Sequence, residues 1–155
     1  MILWRISNHA DLGGLGGVHR SGRWRSRGVP VVYLSESPAL ALLEVLVNFE
    51  IAPDELPVHY RLLEMDCSEV GALQLNEDEL GDRWEERRGP TQGIGDKWSA
   101  SGESALLRVP SAVVPKSRNH LLNPRHPEAA RAAVRSSRSL CLRNSRLQIR
   151  FRSPL

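Results

Sequence analysis
The spacing of apolar and polar residues changes character several times along the chain. Ile2 to Ile6 reads as a short first strand. Val29 to Leu34 is a β-branched run broken only by Pro30, the mark of a buried strand. Ser37-Pro38 then opens a helix, with serine as N-cap and proline in the first helical position. That helix continues through Val47 and is apolar on nearly every side, which predicts that it is largely buried. Val58 to Met65 alternates as a strand, with Val58, Tyr60, Leu62 and Glu64 on one face. Thr91 to Ser101 predicts a short helix with Trp98 turned inward. Ala105–Val109 and Ala112–Val114 predict two strand segments meeting at a bend, because Pro110 lacks a ladder donor.

The remaining segments are less regular. Asp11 to Gly17 holds four glycines and reads as a loop. Pro53 and Pro57 mark another loop, and Glu69 to Arg88 a loop with a surface helix. Ser117 to Pro127 reads as an irregular loop, and Pro127 to Val134 as a short alanine-rich helix. Ser136 to Arg146 is weakly patterned. Leu147 to Arg152 alternates strictly, as a last strand or a loose end. No internal repeat and no domain boundary emerges.

Composition narrows the class. At 155 residues, 41% apolar and 25% charged, the chain suits one domain with a single core. No apolar run approaches the roughly 18–20 residues of a membrane span, and Met1 to Arg5 does not open like a signal peptide. Cys67 and Cys141 lack metal-ligand spacing, so a reducing cytoplasm is the expected setting. Charge is unevenly spread. Residues 1–130, the body, carry 14 Lys and Arg against 18 Asp and Glu; residues 131–155 carry seven Arg and no acid. Such an end is a solvated arm, a strand docking on an acidic partner, or a phosphate-neutralising arm for nucleic acid.

A few residues stand out chemically. Glu44 is the only charge between Ser37 and Asn48. A carboxylate there needs a partner, water at a cleft mouth, or a proton. It is either a rim residue, a partner of an arginine such as Arg5 or Arg23, or a catalytic group, and these are compatible. Ser21-Gly22-Arg23-Trp24 sets an arginine beside a glycine and a flat aromatic, which suits a phosphate-bearing ligand or simply a solvated basic turn. Gly13 to Gly17 lacks the Lys-Ser/Thr of a Walker loop. Tyr33 ends the second strand, as core or as a ring facing a ligand, and Ser111 follows the strand break at Pro110. The five histidines do not pair at metal spacings, so no metal site is expected. The nucleophile-elbow pattern of a serine hydrolase is missing.

Taken together, these stretches resemble the RES family of bacterial toxin domains, named for an arginine, a glutamate and a serine. The matching pieces are Trp4-Arg5-Ile6, Gly22-Arg23-Trp24 with Gly28, and Val31 through Glu44. They continue with Gly95-Asp96-Lys97-Trp98, Leu107 through Pro115, and Asn119 through Pro127, in family order over residues 1–130. The resemblance implies a single α+β domain with an ADP-ribosyltransferase-like split mixed sheet and flanking helices, gripping NAD as co-substrate. It implies cleavage of the nicotinamide–ribose bond, as a protein ADP-ribosyltransferase or an NAD glycohydrolase or phosphorylase. It implies a cognate Xre-like antitoxin with a helix-turn-helix that blocks the cleft in a hetero-oligomer, with DNA reached only through that antitoxin. By position, Arg23 would hold an NAD phosphate and Tyr33 would stack near the nicotinamide. Glu44 would be the catalytic glutamate, Ser111 would bond on the nicotinamide-ribose side, and Arg5 is a further cleft candidate. Relatives close with an acidic-aromatic segment before an Arg-Leu pair, and here only Arg146-Leu147 echoes it. Two other classes remain: a nucleic-acid-binding module acting through the Arg-rich tail, and an interaction domain without activity.

Overall fold
The computed structural model describes residues 1–8, 12–48 and 60–140. Within them, seven strands form one mixed sheet: β1 (Ile2–Ser7), β2 (Val32–Ser35), β3 (Tyr60–Asp66), β4 (Ala72–Gln74), β5 (Leu106–Pro110), β6 (Arg118–Leu122) and β7 (Ala133–Leu140). Their order is β4-β5-β6-β2-β1-β3-β7. The β4–β5 pair is parallel and every other pair antiparallel. Among the described residues three helices accompany the strands: α1 (Gly16–His19), α2 (Pro38–Asn48) and α3 (Arg88–Ser101). None of the described helices is long and apolar enough to cross a membrane.

The sheet is split by a thin seam. β1 pairs with β3 along six register positions, from Ile2 opposite Asp66 to Ser7 opposite Arg61. Its pairing with β2 holds one, Trp4 opposite Ser35. The halves β4-β5-β6-β2 and β1-β3-β7 therefore meet at Trp4 and Ser35. Because side chains alternate across a strand, the register puts Val109, Leu107, Asn119, Leu121, Tyr33, Ser35, Trp4, Ile6, Leu62 and Glu64 on one face.

That face has two separate covers. α2 packs Ala41, Leu42 and Val45 on Ile6, Tyr60, Trp4 and Leu62 of the β1–β3 half. On the other half, Trp98 of α3 and Trp24 cover Val31, Leu107, Val109 and Leu121. Tyr33, Ser35 and Asn119 occupy the strip between the covers. The opposite face buries Leu3, Leu63, Met65, Val32, Leu34, Leu106 and Leu122 beneath Cys67, Val70, Ala129 and Ala132.

Several sequence expectations change. The α2 N-cap holds: the Leu40 N–H donates to Ser37 Oγ at 3.1 Å. The helix is not largely buried, however. Only Leu40 and Ala41 are buried, while Leu43 and Val47 are 43% and 61% exposed. One sheet face cannot cover a helix that is apolar all round. Along β3 both faces are packed: Tyr60 is buried under α2, and Leu63 and Met65 are buried on the other side. The segment 117–127 contains β6, and 133–140 forms β7, an edge strand whose Ser and Arg side chains are mostly exposed. In place of a surface helix, 69–88 holds β4 and two short 3-10 turns, Glu77–Glu79 and Trp84–Glu86. Residues 112–114 form no strand. The alanine-rich stretch is a 3-10 turn over Pro127–Arg131, and α1 begins inside the glycine loop at Gly16. The loop at Pro53 and Pro57, Val58, Cys141 and the alternating run 147–152 lie outside the described residues.

Candidate active site
Glu44 sits in the second turn of α2, on the side of the helix facing β6. Its Oε1 accepts a hydrogen bond from Ser111 Oγ at 2.6 Å and another from Asn119 Nδ2 at 2.6 Å. Oε2 faces Asn48 Nδ2 at 3.2 Å. The carboxylate at this mostly apolar helix position is thus held by neutral donors from elements about 70 residues away in sequence.

Each donor is itself fixed. Pro110 ends β5, and the chain turns so that Ser111 N–H donates to the Ser117 carbonyl at 3.0 Å. Ser111 Oγ accepts from the Val113 and Val114 N–H groups at 3.1 and 3.0 Å, which leaves its proton for Glu44. Asn119 lies opposite Ser35 in the β2–β6 register, and its Oδ1 accepts from Ser35 Oγ at 2.8 Å. Ser35, Ser111 and Asn119 are 5%, 5% and 6% exposed.

Arg23 and Trp24 form the tip of a tight turn closed by the Gly22 N–H donating to the Arg25 carbonyl at 2.9 Å. Trp24 is buried, its ring 5.7 Å from that of Trp84, and its backbone N–H donates to Tyr33 Oη at 2.9 Å. Helix α3 clamps the turn from behind. The Thr91 hydroxyl lies 2.7 Å from the Arg23 carbonyl and 2.8 Å from that of Arg88. Gln92 Nε2 donates to the Gly22 carbonyl at 2.9 Å, and Ser26 N–H donates to Asp96 Oδ1 at 2.9 Å. Gly95 permits this contact: a Cβ there would stand 1.8 Å from the Trp24 carbonyl oxygen.

The clamp leaves the Arg23 side chain poised. Its Nη1 is buried and has no hydrogen-bond partner among the described residues. Burial, with Arg88 nearby, holds the guanidinium below the usual arginine value, and Glu44 opposes that shift. Burial raises the Tyr33 phenol, against the Trp24 N–H bond, and the Arg25 guanidinium lies 5.8 Å from the centre of its ring. Arg23, Tyr33 and Glu44 are within electrostatic reach of one another.

The structure thus brings Arg23, Tyr33, Glu44 and Ser111 to one face of the sheet. Arg5 is placed otherwise. It stands opposite Leu63 on β1, alternating with Trp4 and Ile6, so its Cβ points to the other face. Sequence reading of single residues passed over Ser35 and Asn119. The signal for Asn119 was an uncharged polar residue within Asn119-His120-Leu121-Leu122, visible only once that segment is recognised as a strand. A cavity of about 220 Å³ lined by Trp4, Pro38, Leu62, Glu64, Ser136 and Arg138 shares no residue with this cluster.

The fold and the cluster define a class: a single α+β domain whose seven-stranded mixed sheet carries a carboxylate–serine–asparagine centre beside a buried arginine nitrogen unpaired among the described residues. Comparison gives the family. The RES domain model matches residues 2–143, and the chain belongs to the RES-domain toxin family. It is similar to "Toxin Res" of Pseudomonas putida, 44% identical over 135 residues that cover 86% of this chain and 92% of the relative. It is also similar to the "Prs ADP-ribosylating toxin" of a Sphingobium species, 34% identical over 146 residues, 87% of this chain and 89% of the relative. Among solved structures, the M. tuberculosis MbcT–MbcA toxin–antitoxin complex contains a chain that superposes with a TM-score of 0.67 at 22% identity. That match covers 90% of this chain and 84% of the other, and it speaks to the fold.

Proposed function
We propose that this chain is a toxin that consumes NAD by breaking the bond between nicotinamide and ribose. The observation that carries the reading is a pairing on one sheet face. A carboxylate fixed by two 2.6 Å bonds stands with an arginine whose buried Nη1 lacks a partner among the described residues. A nicotinamide dinucleotide supplies what each lacks: a diphosphate for the guanidinium and ribose hydroxyls for the carboxylate. The name of the Sphingobium relative adds support, since it describes an ADP-ribosylating toxin.

Nicotinamide is a cationic leaving group and departs with the electron pair of the C–N bond. Positive charge then develops on the ribose, and an acceptor oxygen attacks the same carbon as it loses its proton. The protein's task is to hold the ends and stabilise that charge. In this reading Arg23 anchors the diphosphate, and the Tyr33 ring, its hydroxyl occupied by Trp24, offers a flat wall to the nicotinamide. Glu44 receives ribose hydroxyls and offsets the developing charge. Ser111, 2.6 Å from Glu44, marks the nicotinamide-ribose side. MbcT, the structural neighbour, is a toxin in complex with an antitoxin, and this extends the reading to a partner. An active NAD consumer needs restraint in its own cell, and a cognate antitoxin covering this face provides it.

The test is direct. Purified chain is incubated with NAD, with and without bacterial lysate, and free nicotinamide, ADP-ribose, its phosphate ester and labelled protein are measured. Nicotinamide release is expected, and the second product identifies the acceptor as water, phosphate or a protein side chain. A folded chain that releases no nicotinamide under either condition overturns the reading.

A further inference from the structure
We propose that Ser35 and Asn119 form a relay whose purpose is to position Glu44, choosing which of its two oxygens is offered to the substrate. The inference rests on the NAD reading above for its chemistry, but its geometry stands independently.

An asparagine amide has a donor end and an acceptor end, and the two are nearly alike in shape. What decides its orientation is its neighbours. Here a buried hydroxyl, Ser35 Oγ, lies 2.8 Å from Oδ1, and a carboxylate oxygen, Glu44 Oε1, lies 2.6 Å from Nδ2. The reversed amide would aim its carbonyl at a carboxylate. With Ser35 donating to one end, the other end presents N–H to Glu44. Ser35 and Asn119 face each other in the β2–β6 register, so their relative position is set by backbone pairing rather than by flexible side chains.

Ser111 donates to the same oxygen, Oε1, from a different element. Two donors converging on one oxygen take up much of its accepting capacity and fix the carboxylate plane. The other oxygen, Oε2, meets only Asn48 among the described residues, at 3.2 Å and on an exposed side chain. Oε2 is then the atom available to a ribose hydroxyl. Ser35 also stands at the seam, opposite Trp4, where the two half-sheets meet. The relay therefore ties the β1-bound helix that carries Glu44 to the half-sheet that carries Ser111. Asn119 is a positioning residue in this account: it touches Glu44 and acts through it.

The relay is tested by a double-mutant cycle on the full chain. In the wild-type background, Asn119→Ala is expected to lower kcat for nicotinamide release by about 10- to 100-fold, the effect of one lost hydrogen bond to a charged group. KM for NAD should stay within about twofold, because no substrate contact is removed. Ser35→Ala should give a smaller loss in kcat. In the Glu44→Gln background, Asn119→Ala should cost little more, since the group it acts through is already altered. An equal loss in both backgrounds, or a raised KM with kcat intact, overturns the relay. Should Asn119→Ala fold poorly because the Ser35 hydroxyl is stranded, the Ser35→Ala/Asn119→Ala pair removes both polar groups and enters the same cycle.

A readout independent of turnover separates this inference from the NAD reading. The Asn119 side-chain amide proton facing a carboxylate at 2.6 Å should resonate downfield in ¹⁵N-resolved NMR and move upfield in Glu44→Gln. If the wild-type chain releases no nicotinamide, the NAD reading falls while the resonance still decides the relay. An amide signal unmoved by Glu44→Gln removes it.

Discussion

At the scale of residues, the site is a set of side chains that constrain one another. Glu44→Gln keeps the shape of the side chain and removes its charge. Nicotinamide release is expected to fall by about 10²–10³, with the melting temperature within a few degrees of wild type. Wild-type turnover by this folded variant removes Glu44 from the chemistry. Gly22 carries a second expectation. A Cβ there would stand 2.5 Å from Tyr33 Oη and 3.1 Å from Cζ. Gly22→Ala should destabilise the domain by about 1–3 kcal/mol, the usual cost of overpacking. Adding Tyr33→Phe deletes the clashing oxygen, so the double variant should melt above Gly22→Ala alone; additive losses would place the strain elsewhere. Legibility at this scale was uneven. Glu44 announced itself as a lone charge in an apolar helix and Arg23 as an arginine between a glycine and a tryptophan, whereas Tyr33 and Ser111 took on specific roles only through the family resemblance. Asn119 and Ser35 were silent, because a polar residue that spends its bonds inside the protein has the same sequence signature as one that meets water.

At the scale of elements, α3 matters more than its poor hydrophobicity suggests. Its residues at 91, 92, 95 and 96 all face the Gly22–Ser26 segment, so the helix acts as a backing plate for Arg23. Gly95→Ala puts a methyl group 1.8 Å from a backbone oxygen, where no side-chain rotation relieves it. The expected outcome is a loss of about 3 kcal/mol or more, measured by urea unfolding, at the upper end of overpacking effects. A variant of unchanged stability would show that α3 and the turn can separate. The same scale explains which elements the sequence disclosed. The helix α2 was marked by its Ser-Pro cap and α3 by Trp98, both local signals. β6 and β7 carry Asn, His, Ser and Arg where strands usually carry apolar residues. Asn119 and His120 in β6 are buried polar groups, and β7 is an edge strand with water on both faces. Neither situation leaves an alternating pattern to read.

At the scale of the whole molecule, His120 links stability to pH. It is 4% exposed, and its Nδ1 has no hydrogen-bond partner among the described residues. Burial beside Arg108 pushes its pKa down from 6.5 to about 4. The folded chain keeps this imidazole neutral, while the unfolded chain takes up a proton first as pH falls. Stability should therefore be fully present above about pH 6.5 and decline towards pH 4, by up to about 3 kcal/mol from this group. Urea unfolding at pH 7 and pH 4.5 measures the slope, and His120→Leu should flatten it; an unchanged slope assigns the acid sensitivity to other groups. The proposed activity sets a second expectation. Expression of the chain alone should arrest growth, and co-expression of its cognate antitoxin should restore it. Growth unaffected by folded, soluble chain would count against an NAD-consuming toxin.

The distance in sequence between Glu44 and its two donors has a consequence for the chain while it is being made. Ser111 lies 67 residues and Asn119 75 residues beyond Glu44, on the far side of the seam. A ribosome-bound chain that ends before β6 holds the glutamate without the Asn119 that orients it, and one that ends before β5 lacks Ser111 as well. Under the proposed reading the site therefore comes into being only once β6 has been made, and copies cut short before it are expected to release no nicotinamide.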